Sequence, residues 1–285
     1  MKYRILPLCL LLSCSILGKA QIPPIPLPKN TECMTIVDSG FIRIWYALNP
    51  LKISDPKTYD DLQRLDIGSH LSKYYSYFVY NSDSLVTEWG KQNRDAQSIP
   101  SRLGEKGKIS SWSEYVYSEY FKCFSLNSFT EYSRMPMYLY QENSQYTEQI
   151  PIQNWEIHAD TLMILGHCCQ KATCTFRGRE YTAWFSMDIP ISNGPWKFGG
   201  LPGLILKVFD VERLFVYECV RIEQNKNKFP IKIYNDYNRY RKRKREKVLQ
   251  LQREVNENYL KIAGVTLRSG KLPEQKRHFY LELEQ

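Results

Sequence analysis

"HCCQKATC", His167 to Cys174, gathers the side chains whose types could hold a soft metal or run thiol chemistry. His158 lies a little upstream. A zinc-type site needs His and thiolate ligands that converge on one point. The spacing here works against convergence. Neighbours along a strand point to opposite faces, so Cys168 and Cys169 diverge. Cys169 and Cys174 are five residues apart, about 16 Å in an extended strand. Bridged α-carbons must lie within about 7 Å, so a mutual disulfide does not fit either. A thiol, redox or metal-handling role for Cys168, Cys169 and Cys174 stands as the alternative reading.

The second unusual stretch is "NGPWKFGGLPGLILKVFD", Asn193 to Asp210. Four glycines and two prolines surround Trp196 and Phe198. A phosphate loop would feed the N-terminus of a helix, whose free N–H groups bind the anion. This stretch feeds Leu204 to Phe209, which reads as a strand. It is therefore expected to be a packed corner. Gly199, Gly200 and Gly203 would serve backbone geometry, Trp196 and Leu204 would be buried, Trp196, Phe198 and Leu201 would fold over a sheet edge or seal a core end ahead of Ile205, and any recognition role would fall to Leu201 and Pro202 at the apex.

Other chemistry is sparse. There is no HExxH, nucleophile elbow, P-loop or dinucleotide-binding glycine pattern. His70, His158, His167 and His278 are scattered, and Asp60 and Asp61, being adjacent, need not converge. The residues call for no catalytic group, no metal and no cofactor. The basic run holds Arg239, Arg241, Lys242, Arg243, Lys244 and Arg245. It reads as the solvated face of a helix, with contact to an anionic lipid surface as its functional alternative.

The elements that must position these residues are mostly strands. Phe41 to Leu48 alternates, with Ile42, Ile44, Tyr46 and Leu48 on one side and Phe41, Arg43, Trp45 and Ala47 on the other. Short strands are expected at Leu62 to Ile67 and Leu71 to Tyr75, then a helix near Tyr77 to Lys91. Tyrosine-rich strands fill 115 to 153. Leu165 to Phe176 and Glu180 to Ser186 form a hairpin at Arg177-Gly178-Arg179. Leu204 to Phe209 and Leu214 to Ile222 form another. The apolar spacing from Tyr237 to Ile262 predicts one helix, capped at Asn235 or Asp236 and ended by Gly264. Residues 278–285 read as a last strand.

The ends of the chain speak to its location. Residues 1–20 have a basic start, an apolar stretch from Ile5 to Leu12, and Gly18 and Ala20 before Gln21, the pattern of a secretory signal. Lipidation at Cys14 is a loose alternative, with Leu12 a poor fit to that motif. Removing residues 1–20 leaves 36 basic and 30 acidic residues, a net charge of +6 concentrated in the basic run. Nucleic acid is not an expected partner of an exported chain. Residues 21–32 form a proline-rich leader. Residues 33–285 show no internal repeat and no second composition regime, so they are expected to form one domain. An exported chain with an even number of cysteines points to disulfides. The candidates are Cys33, Cys123, Cys168, Cys169, Cys174 and Cys219.

"CQKATCTFRGR", "AWF" and "GPWKFGGLPGLI" closely resemble the GLPGLI family, named for the residues at Gly200 to Ile205, and "LDIGSHLSKYYSY" is similar to its upstream segment. His167-Cys168 departs from the pattern. The resemblance implies an exported protein of Gram-negative bacteria and no particular reaction. More loosely, the strand pattern is similar to periplasmic lipoprotein carriers. That implies an α+β fold, mainly β, with a curved antiparallel sheet or open half-barrel and a helix in the C-terminal region. Function is thus expected to be non-catalytic. The concave face of the sheet would bind an apolar ligand or an envelope protein.

Overall fold

The computed structural model describes residues 26–100, 103, 117–264 and 280–283. Residues 1–20 and Cys14, which carry the export reading, lie outside them, as does His278.

Twelve strands form one sheet: β1 Met34–Leu48, β2 Asp61–Gly68, β3 Leu71–Ser76, β4 Tyr117–Cys123, β5 Ser128–Arg134, β6 Ser144–Gln149, β7 Glu156–Ile164, β8 His167–Phe176, β9 Arg179–Ser186, β10 Leu204–Asp210, β11 Val216–Tyr234 and β12 Arg241–Lys242. Their order is β12-β6-β5-β4-β3-β2-β1-β11-β10-β9-β8-β7. Two meanders, β1 to β6 and β7 to β11, are thus joined by the long antiparallel pairing of β1 with β11. Every pairing is antiparallel except the short parallel one between β12 and β6, so the sheet is mixed.

The sheet is open but strongly curved. β6 and β8 lie near opposite ends of the strand order. Arg177, in the turn after β8, nevertheless reaches Glu148 on β6 at 2.8 Å. Side-chain alternation explains the curvature. Ile42 and Ile44 on β1 stand opposite Ile67 and Leu65 on β2, and all four are buried in one apolar cluster with Phe129 of β5 and Tyr181 of β9. Burying one continuous apolar face of a sheet this wide requires wrapping it. The expected side assignment in β1 therefore holds.

Helix α1, Tyr77–Gln92, lies on the other, outer face. Ser76 caps it by accepting from the Val79 N–H at 3.1 Å. Its Asp83 forms a buried bidentate pair with Arg134 of β5, at 2.7 and 2.9 Å. The leader docks beside it, where the Lys29 N–H donates to Asp83 at 3.0 Å.

Four expectations are corrected. The Leu165-Gly166 pair is a hairpin turn with φ of 49° and 81° rather than the start of a strand. β11 runs to Tyr234, past its expected end at Ile222, because β1 supplies partners for its polar half. The expected helix from Tyr237 begins only at Arg245: α2 spans Arg245–Ile262. Before it, Asn235–Arg239 is a 3-10 helix that turns Tyr237 and Tyr240 into the core, and Arg241–Lys242 pairs as an edge strand. Lys244, without a side-chain cap, starts the helix, and Gly264 at φ 67° follows its end. Residues 280–283 form no strand. Leu281 packs against the core and Glu282 is buried.

Candidate functional site

The cysteines do not come together. All six described cysteines are free, which corrects the disulfide expectation for Cys33, Cys123, Cys168, Cys169, Cys174 and Cys219. The strand order gives the reason. Cys123 is on β4, Cys219 on β11, and Cys168, Cys169 and Cys174 on β8; none of these strands are neighbours. Cys169 is buried while Cys168 faces solvent. His167 turns to Asp188 at 3.5 Å and His158 to the Thr173 hydroxyl at 2.7 Å. Among the described residues no group of three or more His, Cys, Asp or Glu could hold a metal.

Burial pushes the Cys169 thiol up to about 11 and those of Cys174 and Cys219 to about 12. Since the thiolate is the reactive form, these three are poor nucleophiles. In the folded, reduced protein a thiol reagent at pH 8 is expected to label Cys33, Cys123 and Cys168 rapidly, and Cys169, Cys174 and Cys219 only on denaturation. Rapid labelling of all six would contradict the burial.

The glycine-rich corner is packed. Trp196, Phe198, Leu201, Leu204 and Ile205 are each at most 2% exposed. Trp196 lies 5.7 Å from the Phe176 ring and 5.3 Å from Phe198, both edge-on. Two details differ from expectation. Leu201 is in the core, so of the expected apex only Pro202 is exposed. Gly203 is required by packing: a β-carbon there would sit 2.1 Å from the Ser186 carbonyl oxygen. The left-handed conformation falls instead on Gly200, at φ 81°, and on Trp196 itself, at φ 49°.

Beneath the corner lie buried charges that sequence reasoning missed. Lys197, fully buried, pairs with Glu148 at 3.0 Å and Glu282 at 2.5 Å. Lys122 of β4 donates to Asn193 Oδ1 at 2.9 Å and to the Phe198 carbonyl at 2.5 Å. Burial lowers its amine to about 7. These polar contacts tie the corner to the opposite meander. The only sequence signal was a lysine set among apolar residues, "PWKFGG", which is ambiguous without the register.

Among the described residues, one cavity lies inside the sheet and another on its outer face. The inner one, lined by Asp61, Tyr74, Tyr120, Trp196, Tyr217 and Leu281, has a volume of about 50 Å³. Ser76 Oγ donates to the Asp61 carboxylate at 2.9 Å. Burial nonetheless raises that carboxyl to about 7. Folding therefore favours protonated Asp61, and this contribution is lost as pH rises from about 4 through about 7. Lys122 has the opposite sign, since its cost grows as pH falls from 10.5 to about 7. Asp61→Asn is expected to remove the first slope from melting-temperature profiles and Lys122→Met the second. Profiles parallel to the parent in both windows would contradict the burial of these groups.

The outer cavity is larger, about 260 Å³, and opens between β1, β2, β3, β11 and α1. Arg43, Arg64, Lys73 and Lys232 line it with one carboxylate, Asp66. Arg43 binds Asp66 through Nε at 2.6 Å and through its terminal nitrogen at 3.2 Å, and the Tyr75 hydroxyl donates to it at 3.1 Å. The Arg64 guanidinium lies 4.7 Å from the Tyr75 ring centroid and 5.3 Å from that of Tyr80. Arg43 stands 4.1 Å over Phe229.

The expected basic face is divided. Arg241 and Arg243 pair with Glu142, and Arg245 pairs with Glu282. Arg239, Lys242 and Lys244 are exposed. The six do not form one helical stripe.

Among known proteins, a family model described as "Protein of unknown function (Porph_ging)" matches residues 175–207. That stretch holds the end of β8, β9, the corner and the start of β10. Two solved structures are similar in fold, those of PNGF-II in the P21 and C2 space groups. Both share 14% identity and cover 76% of this chain, with TM-scores of 0.45 and 0.46. The chain spans 34% of the length of each. No curated protein matches. The corner, on which the sequence resemblance rested, thus lies in a segment similar to an uncharacterised family, one for which no function is known.

Proposed function

We propose that this is an exported, non-catalytic envelope protein that recognises its ligand or partner from the outer face of the sheet. The observation that carries the reading is the contrast between the two cavities. Ligand pockets for small molecules run to about 300–1,000 Å³. The inner cavity seen among the described residues measures about 50 Å³, room for a few waters and not for an acyl chain. Leu281, Trp196 and the tyrosines fill the space that a carrier of apolar ligands would leave empty. The outer cavity, at about 260 Å³, approaches the ligand range and has polar walls.

Export rests on residues 1–20 and on the family resemblance, since the free cysteines withdraw the support that disulfides would have given. Contact of Arg239, Lys242 and Lys244 with an anionic surface belongs to this reading as a secondary interaction.

A neutral apolar probe tests the filled interior. Nile red titrated into the folded protein is expected to show no saturable binding. Saturable binding at one equivalent, displaced by a long-chain alcohol, would overturn the outer-face reading.

A further inference from the structure

We infer that the outer cavity is an oxyanion site that takes a phosphate or sulfate monoester on a body of about sugar size; this rests on the outer-face reading above. The charge balance of the walls is the first ground. Four cations line the cavity against Asp66 alone. Lys73 has a further partner in Glu119, at 2.7 Å. Counting both carboxylates, two positive charges are left for a ligand to neutralise.

The donors are the second ground. Arg64 is 9% exposed, and its Nε is buried without a hydrogen-bond partner among the described residues. Its contact with Asp66 is a long one, at 3.4 Å. Arg64 lines the cavity, and a guanidinium whose N–H donors are incompletely paired keeps part of a fork that matches phosphate and carboxylate geometry. Buried arginine is costly unless paired, and Arg43 beside it adds like-charge repulsion. A doubly charged oxyanion between Arg64, Lys73 and Lys232 relieves both.

Shape is the third. The Arg64 plane is held between β3 and α1 by Tyr75, Tyr77 and Tyr80, which leaves little rotamer freedom to lose on binding. The cavity exceeds an isolated phosphate, and the walls contributed by Phe229, Pro230 and Met34 offer apolar surface to the ligand body.

Calorimetric titration of the full folded protein tests the site with inorganic phosphate, inorganic sulfate, glycerol 1-phosphate and phosphatidylglycerol vesicles. Saturable one-to-one binding of glycerol 1-phosphate, tighter than that of inorganic phosphate, is expected. Arg64→Gln should weaken it by roughly tenfold or more, the scale of a lost charge-assisted hydrogen bond. Lys232→Gln should weaken it by a few-fold, and it removes no core contact if Arg64→Gln fails to fold. Lys242→Gln, on the β12 edge, should change nothing. Vesicle binding that persists in Lys232→Gln but falls in Lys242→Gln, with no soluble ester bound, would assign the anion to a membrane surface and overturn the pocket. Equal affinities in parent, Arg64→Gln and Lys232→Gln would overturn it too, as would no binding by any probe. Failure here with no Nile red bound leaves the outer-face reading standing, whereas saturable Nile red binding defeats that reading whatever the anions do.

Discussion

Trp196→Ala unfolds well below the parent, with an expected loss of about 3–5 kcal/mol, the range for truncating a buried aromatic. Its ring is 2% exposed, meets Phe176 and Phe198 edge-on, and walls the inner cavity. Truncation joins that cavity to the ring's own volume. The backbone adds a finer expectation. At φ 49° Trp196 occupies the left-handed region, which costs an L-residue about 1–2 kcal/mol and glycine almost nothing. Trp196→Gly is therefore expected to be no less stable than Trp196→Ala, the reverse of the usual order. A thermal melt of Trp196→Ala that matches the parent would sink the packed-corner reading.

Gly203→Ala is expected to be strongly damaging, through one added methyl. Its β-carbon would lie 2.1 Å from the Ser186 carbonyl oxygen and 2.6 Å from the carbonyl carbon. Neither atom can swing aside as a side-chain tip could. Ser186 ends β9 and pairs with Leu204, the residue after the glycine. Relief requires parting β9 from β10 at their shared end, so the cost should reach or exceed the roughly 1–3 kcal/mol typical of overpacking. Gly90→Ala is the matching control. It lies in α1 with nothing within 4 Å of the added carbon, and should gain about 0.4–1 kcal/mol from the unfolded chain. Comparable melting temperatures for Gly203→Ala and Gly90→Ala would refute the close approach.

The role of the corner was legible in the sequence, because a glycine-rich run feeding apolar strand residues has few packed solutions. The reason each glycine is needed was not. Whether Gly203 serves a turn or a close approach depends on which carbonyl faces it, and that follows from the pairing of β9 with β10. Leu201 was open to two readings on the same ground: an apolar residue between glycine and proline fits an apex or a core equally well, and the structure places it in the core. The basic run failed differently. Tyr237 and Tyr240 carried helical spacing, but Tyr237 stacks on Tyr132 and meets Tyr234 edge-on, Tyr240 meets Tyr132 edge-on, and that packing overrode the helix signal.

The outer cavity shows what one strand at a time cannot reveal. Arg43, Arg64 and Lys73 each sit two residues from an aromatic or acidic residue of the same face: Trp45, Asp66 and Tyr75. Charge alternating with aromatic rings across β1, β2 and β3 was a visible signal of a polar second face. Only the register places Arg43 opposite Asp66 and Asp66 opposite Lys73, and only the placement of α1 closes Tyr80 over Arg64. The role of Glu282 was beyond reach, because its partners, Lys197, Arg177 and Arg245, come from three separate segments.

The claim that most needs testing is that the curved sheet encloses a filled core and not a ligand chamber. Native mass spectrometry of the protein purified from its native source without detergent measures this directly. The expected result is the bare chain, with at most a small, phosphate-displaceable adduct. A stoichiometric excess of several hundred daltons, lost on extraction with organic solvent and identified as a lipid, would contradict it.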